Sequence, residues 1–339
     1  MNKLKITNKT VFGIFAILTL CLLPRADTFA ISERQLAGNL ITEVSPDHPG
    51  AHTKVMVTLV SFALDLNRSI VSWSIDGETK LTGVAKNKLE FTTKGPGTRT
   101  TVIVRALAPD GTEHAKELVF IPGDIDLVWE TNTYTPPTYK GKALLTSGGT
   151  VRFIALPILY DNTGKRVATD LLSYDWSRDY EKLRALSGYG KDVAEFGGFT
   201  TLKNTVISVV VRDLESGNSV ESSVAIKAGE PTLRFYEESP LAGTRYERAV
   251  SGNYSMPGAE ATLRAEPYHL PLSVGQRPTF RWTIGGLPAQ ADQANPRLIT
   301  LRQEASGAGT AELACNVEGE VGSVKSALSV LFGSRTSVF

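Results

Sequence analysis

Hydrophobic and polar residues alternate with a period of two in short runs along most of this chain, and three of those runs share one design. In "VSWSID", Val71, Trp73 and Ile75 fall on one side and Ser72, Ser74 and Asp76 on the other. "LSYDWS" sets Leu172, Tyr174 and Trp176 against Ser173, Asp175 and Ser177, and "TFRWTI" sets Phe280, Trp282 and Ile284 against Thr279, Arg281 and Thr283. Successive side chains of a strand point to opposite faces, so each run predicts a strand with one face in a core and the other in water. The central residues Trp73, Trp176 and Trp282 are the expected core side chains, and their separations of 103 and 106 residues define a repeat.

The flanks repeat as well. Upstream stand the apolar runs "KVMVTLVSFA", "TVRFIALP" and "ATLRAEP", the last two ending in an Ala-x-Pro that is expected to stop the ladder. Downstream come paired runs joined by turns, whose glycines Gly111, Gly217 and Gly319 follow their tryptophans by 38, 41 and 37 residues. A hairpin calls for positive φ at such positions. Past the N-terminal segment nothing sustains a helical period for three turns, so the expected class is all-β. About 100 residues, roughly seven short strands and a tryptophan on the third strand predict an immunoglobulin-like sandwich. Three tandem immunoglobulin-like β-sandwich domains are therefore expected, over residues 31–122, 123–228 and 229–334, with a tail at 335–339.

On these residues the chain resembles the tandem Ig-like and PKD-like repeats of bacterial surface proteins. "WSIDG", residues 73–77, is similar to the tryptophan-to-Asp-Gly run of PKD domains, while the second and third copies read "WSRDY" and "WTIGG". The stretch "DLVWETNTYTPPTYKGKAL" also resembles a segment of uncharacterised secreted proteins from candidate-phylum bacteria, some of which accompany pilus proteins. That resemblance implies a surface location and carries no established chemistry.

The first 30 residues have a separate character. Three lysines precede thirteen uncharged residues, Val11 to Leu23, and small residues follow at Thr28 and Ala30. This is the layout of a secretory signal peptide, and the apolar run is shorter than the roughly 20 residues that span a bilayer. Removal of residues 1–30 leaves 32 basic against 34 acidic side chains and a single cysteine, Cys315. The mature chain is thus expected to be extracellular or at the cell surface, with no transmembrane span, no attraction to nucleic acid and no internal disulfide.

Residues that could carry chemistry are few. His48, His52, His114 and His269 are scattered, and neither a zinc spacing nor a nucleophile elbow nor a phosphate loop occurs. "SGYGKD", residues 187–192, reads as a turn, and Asp124 and Asp126 supply only a small part of a calcium shell. Cys315 alternates with polar neighbours and reads as a small buried hydrophobe. The expectation is a protein that is not an enzyme, with no catalytic residue, cofactor or metal.

One stretch stands apart. "DIDLVWETNTYTPPTYKGKALL", residues 124–145, carries Trp129, Tyr134 and Tyr139 around a proline pair, without a clear period. Before the third copy Phe235, Tyr236, Glu237, Pro240 and Tyr246 follow the order of Val128, Trp129, Glu130, Pro136 and Tyr139, and before the first stand Glu43 and Pro46. Recurrence at boundaries favours a joint stiffened by proline and flanking aromatics, with Trp129 between the first and second sandwiches. The alternative is a binding platform formed by Trp129, Tyr134 and Tyr139 for a glycan or peptide. Function is accordingly expected to be that of a non-enzymatic exported rod, a spacer, adhesive or assembly component with cell-surface proteins or glycans as partners, or else a secreted recognition module. The export reading predicts a mature chain that starts at Ile31. Intact mass of the secreted protein checks this, and retention of residues 1–30 contradicts it.

Overall fold

In a computed structural model, residues 40–273, 275–304 and 307–333 are described, and the expected leader and the tail at 335–339 lie outside them. The first core is enclosed by seven strands: β1 Ile41–Ser45, β2 Lys54–Val60, β3 Ile70–Ile75, β4 Glu78–Val84, β5 Lys88–Thr92, β6 Thr100–Leu107 and β7 Glu113–Phe120. They form two sheets, β1-β2-β5 and β4-β3-β6-β7. Val55, Val57 and Leu59 of one sheet meet Val71, Trp73, Val102 and Val104 of the other, which is the alternation predicted for a half-buried strand.

The second core lies among β8 Asp124–Thr131, β9 Thr133–Tyr134, β10 Val151–Ile158, β11 Ser173–Arg178, β12 Glu181–Lys182, β13 Gly188–Tyr189, β14 Val193–Phe196, β15 Thr205–Arg212 and β16 Ser219–Ile226. Its sheets are β14-β10-β8 and β12-β11-β15-β16, with β13 also on β11, so the "SGYGKD" stretch contributes a short strand as well as a turn. The third comprises β17 Thr232–Ser239, β18 Gly243–Thr244, β19 Asn253–Ser255, β20 Glu260–Tyr268, β21 Leu270–Pro271, β22 Thr279–Ile284, β23 Leu287–Ala289, β24 Leu298–Arg302, β25 Gly309–Glu318 and β26 Ser323–Phe332. Its sheets are β18-β17-β20-β24 and β19-β26-β25-β22-β23, and β19 runs parallel to β26.

Without the short additions, one topology appears three times. A three-stranded sheet holds the first, second and fifth strands of each unit, and a four-stranded sheet holds the fourth, third, sixth and seventh. The chain is all-β and consists of tandem immunoglobulin-like sandwiches. In each, the fourth strand lies beside the third instead of completing the opposite sheet as it does in antibody constant domains.

The three tryptophans are buried, at 0%, 0% and 3% exposure. Each also bonds across its core. The indole N–H of Trp73 donates to the Lys86 carbonyl at 2.7 Å, that of Trp176 to Lys191 at 2.9 Å and that of Trp282 to Pro296 at 3.0 Å. Every acceptor stands two residues before the fifth strand of its unit, at Lys88, Val193 and Leu298. A donor on one sheet therefore holds the chain where it enters the other, which satisfies the buried N–H as well.

Three residues after each tryptophan the backbone turns left-handed. Asp76 has φ 49°, Asp179 φ 50° and Gly285 φ 55°. Asp76 Oδ1 accepts the Thr101 N–H and Asp179 Oδ1 accepts that of Val206, while Lys94 and Lys203 pair with the outer oxygens at 2.8 Å. These contacts, with the lysine first and the backbone amide second, hold both carboxyls below their ordinary range. "WSRDY" thus performs the same turn as "WSIDG", and the third copy makes it with glycine, which adopts that φ at no steric cost.

Two local expectations need correction. Pro157 and Pro267 do not end their strands: β10 continues beside β8 to Ile158, and β20 beside β17 to Tyr268. They sit past the point where the other neighbour stops, at Ile154 opposite β14 and at Arg264 opposite β24, so the missing N–H disrupts neither ladder. Gly111 and Gly217 have positive φ, but Gly319 does not. It is required for space instead, since a Cβ there would stand 2.8 Å from the Pro271 carbonyl oxygen.

Cys315 lies opposite Trp282 in register and is fully buried, which pushes its thiol up to about 12. Replacement of Trp73, Trp176 or Trp282 by Ala is expected to lower the stability of its own core by about 3–5 kcal/mol, since it leaves a large cavity. Hydrogen exchange resolved by segment checks this. Uniform loss of protection across all three cores would contradict the separation of the cores.

Candidate functional site

Several polar and aromatic side chains outside the three cores meet at the two joints. At the first, the chain passes from β7 to β8 through Ile121, Pro122 and Gly123. Gly97 donates its N–H to the Pro122 carbonyl at 2.8 Å, and Ala51 donates to Gly123 at 3.2 Å. His48 Nδ1 and Ser219 Oγ stand 2.8 Å apart, linking the segment after β1 to the start of β16. The Tyr160 ring lies against Gly97, where a Cβ would come within 2.9 Å of it. A cavity of about 210 Å³ remains, walled by Val44, Pro49 and Leu118 on one side and by the turn from Gly217 to Ser219 on the other.

The second joint is built differently. β9 pairs antiparallel with β21, Tyr134 opposite Leu270 and Thr133 opposite Pro271, so two residues from each sandwich form a separate strand pair. His269 donates its backbone N–H to the Tyr134 carbonyl at 2.6 Å, and its Nδ1 accepts the Leu144 N–H at 3.1 Å. The Thr146 hydroxyl donates to the His269 carbonyl at 2.6 Å. His269 has φ 59°, uncommon for a residue with a Cβ, and is held there by bonds from both sides. The Tyr139 ring meets Tyr268 and His269 edge-on, with centroids 5.6 and 5.3 Å apart.

A charged network backs this joint. Glu266 is fully buried on the outer face of β20. Arg264 Nε donates to its Oε1 at 2.5 Å, the Tyr246 hydroxyl to the same oxygen at 3.2 Å, and Arg297 Nη1 to its Oε2 at 2.7 Å. Arg297 Nη1 also donates to the Tyr134 hydroxyl at 2.7 Å, and the guanidinium lies 5.2 Å from the Tyr134 ring centroid. A residue of the second sandwich thereby completes the hydrogen bonding of a buried ion cluster in the third. Burial is the leading reason that the Tyr246 and Tyr268 hydroxyls are held above their ordinary range.

The three aromatics singled out in the sequence part company here. Tyr134 and Tyr139 lie at the second joint. Trp129 does not lie between the first and second sandwiches: it packs against the second core, opposite Phe153, with Lys142 Nζ 3.3 Å above its ring centroid. Nor does Tyr236 correspond to it, because the inward positions of β17 are Leu233 and Phe235 and Tyr236 faces the other way, its hydroxyl 2.8 Å from that of Tyr268. A shift of one residue in a strand reverses its face. Asp124 and Asp126 are exposed on β8, and among the described residues no group of three or more His, Cys, Asp or Glu side chains is placed to hold a metal. The sequence pattern does not single out Arg297, Glu266 or Leu270, and in it His269 is only one of four scattered histidines. The available signal was "YHLPL", an apolar run directly past a strand end, where a solvated loop would be polar.

No protein-family model matches the chain, and no curated protein matches it. Among solved structures, the three N-terminal domains of the highly immunogenic outer capsid protein of bacteriophage RB49 are 14% identical over 88% of this chain and 99% of theirs, at a TM-score of 0.26. The central fibronectin-III array of RIM-binding protein is 9% identical over 88% and 98%, at 0.27. The Bacteroides ovatus mixed-linkage glucan utilization locus protein SGBP-B, in complex with a mixed-linkage heptasaccharide, is 12% identical over 84% and 65%, at 0.19. Scores of this size assign neither a family nor a function.

Each joint contains one histidine held below the ordinary imidazole range. For His48 burial is the main cause, with Arg212 adding to it and Glu221 and Asp47 opposing; for His269 the cause is burial. A depressed imidazole contributes stability to the docked state that is complete above the ordinary value, about 6.5, and is lost as pH falls through the docked value. Protonation also removes the Nδ1 lone pair that accepts the Leu144 N–H. Both joints are therefore expected to loosen on acidification from about pH 7.5 to 5, seen as broader distance distributions between spin labels placed across each joint. Distributions that stay unchanged over that range would contradict this.

Proposed function

We propose that this chain is an exported, non-enzymatic rod of Ig-like sandwiches that acts as a spacer, adhesive or assembly component at a bacterial cell surface. The observation that carries the reading is the second joint. There, main-chain strand pairing, the edge-on contacts of Tyr139 and the Arg297–Tyr134 hydrogen bond each link the two sandwiches. Tandem domains that share only small interfaces move relative to each other by default. A joint with its own strand pair and a hydrogen bond from Arg297 to Tyr134 resists that motion, which suits a part whose task is to hold a distance or bear load. The three rings of the sequence-proposed platform are turned to different partners: Trp129 to Lys142, Tyr134 to Arg297, Tyr139 to Tyr268. This supports the mechanical role over the recognition module. An association with pili belongs to the same proposal and rests on the sequence resemblance alone.

The substitution Tyr134→Ala, paired with Tyr139→Ala, separates the two readings. The rod predicts a wider distance distribution across the second joint, with hydrogen-exchange protection in both adjoining cores nearly as before. Unaltered geometry together with lost retention on an immobilised glycan or peptide array would favour the recognition module and overturn the rod.

A further inference from the structure

Resting on the export part of that reading, we propose that Asn67 is a glycan attachment site, loaded by a membrane oligosaccharyltransferase before the first sandwich folds. The described residues carry Asn-x-Ser at Asn67-Arg68-Ser69 and at Asn253-Tyr254-Ser255. That tripeptide is the acceptor for N-glycosylation, and in an exported protein it belongs on the surface. It is also common, so the three residues alone decide nothing. Transferases of the bacterial type read one residue more, an acidic side chain two positions before the asparagine. Asp65 stands there for Asn67, and Ser251 for Asn253.

The structure separates the two asparagines in the same direction. Asn253 is part of β19, opposite Ser329 of β26 in register, and Tyr254 beside it is buried. Asn67 lies in the loop between β2 and β3, within a turn that Asp65 builds. Asp65 Oδ1 accepts the Asn67 N–H at 3.1 Å, and the Asp65 carbonyl accepts the Arg68 N–H at 3.1 Å and the Ser69 hydroxyl at 2.8 Å. Leu66 and Ser69 are buried on either side, whereas Asn67 and Arg68 are exposed. A glycan on Asn67 therefore extends into solvent and displaces nothing from the core.

The same bonds set the order of events. A transferase engages its acceptor as extended chain, with the carboxamide at the reaction centre and the hydroxyl two residues on held by the enzyme. In the folded loop Ser69 is fully buried and its hydroxyl is engaged by the Asp65 carbonyl. The site is thus offered before the loop closes, as it is while an unfolded chain emerges from the membrane. In the transfer, the Asn67 carboxamide nitrogen bonds to the anomeric carbon of an oligosaccharide carried on a polyprenyl pyrophosphate. The bond from that carbon to the pyrophosphate oxygen breaks, its electron pair leaves with the lipid pyrophosphate, and one amide proton passes to solvent. Nothing is oxidised or reduced.

A glycan has a use at this place. Phe62, in the same loop, is 91% exposed, and Ile70, Val84 and Leu107 lie side by side across neighbouring strands at 46%, 57% and 41%. The places of Ile70 and Leu107 are taken by Ser173 and Arg212 in the second sandwich and by Thr279 and Glu318 in the third. Only the first sandwich has an apolar row there. A contiguous exposed apolar patch is a liability for aggregation, and a bulky, solubilising group in the adjoining loop shields it.

The test expresses the full chain in a bacterial host that holds such a transferase and its lipid-linked oligosaccharide, and reads the mass of the exported protein and of its peptides. The expected result is one glycan, on the peptide that contains Asn67, lost in Asn67→Gln and in Ser69→Ala and kept in Asn253→Gln. Exported chains with a bare Asn67 would overturn the proposal, and so would a glycan that persists in Asn67→Gln. A second version, in which residues 1–30 are exchanged for a leader of established export, keeps the two readings apart. Glycan found only under the borrowed leader supports the site and removes the export reading, whereas a bare Asn67 under both leaders removes the site. In vitro, the unmodified folded chain is expected to accept glycan several-fold more slowly than Trp73→Ala, whose first core opens more often. Equal rates would overturn the proposed order of transfer and folding.

Discussion

The fold depends on one hydrogen bond made three times. In each sandwich a tryptophan on the third strand donates its indole N–H to a carbonyl two residues before the fifth strand, which belongs to the opposite sheet. Hydrophobic packing is non-directional and would tolerate some sliding of one sheet over the other. A buried donor that must find its acceptor does not tolerate it, because leaving the group unpaired in a core costs about 1–3 kcal/mol. The bond fixes where the fifth strand begins and hence the loop that follows it. In the first sandwich that loop carries Gly97, which receives the next unit.

Much of this was legible in the chain itself, since the strands bury alternate residues and three tryptophans at near-constant spacing identify the repeat. The sandwiches follow from a pattern local enough to read. The joints do not. β9 and β21 are two residues each, too short for any period, and their partners are well over a hundred positions apart in sequence. Glu266 reads as an ordinary outward polar residue of its strand, and only the convergence of Arg264 from the same strand, Tyr246 from the segment after β18 and Arg297 from just before β24 reveals a buried charge. Trp129 and Tyr236 were matched by residue type, and the one-residue difference in strand register that separates them is set by pairing with β10 and β20.

The two joints also differ in kind. Loop contacts, a histidine–serine bond and a residual cavity make up the first, whereas a strand pair and a buried carboxylate make up the second. The charged members of the cluster around that carboxylate all belong to the third sandwich, and it couples the joint through one contact, the Arg297 hydrogen bond to the Tyr134 hydroxyl, which bending at the joint would break beside the β9–β21 pair. The chain is thus expected to be stiffer between its second and third sandwiches than between its first and second.

The dependence of the Arg297–Glu266 cluster on Tyr134 has a consequence for biosynthesis. A polypeptide emerges from the ribosome with its N-terminal units first, and domains generally fold as units in that order. Tyr134 has been made before Glu266 and Arg297, so the third sandwich folds with its partner across the joint already present, and β9 becomes a strand only when β21 pairs with it. At both joints the earlier sandwich is made before the residues that dock on it, so the order of synthesis is also the order in which the joints can form.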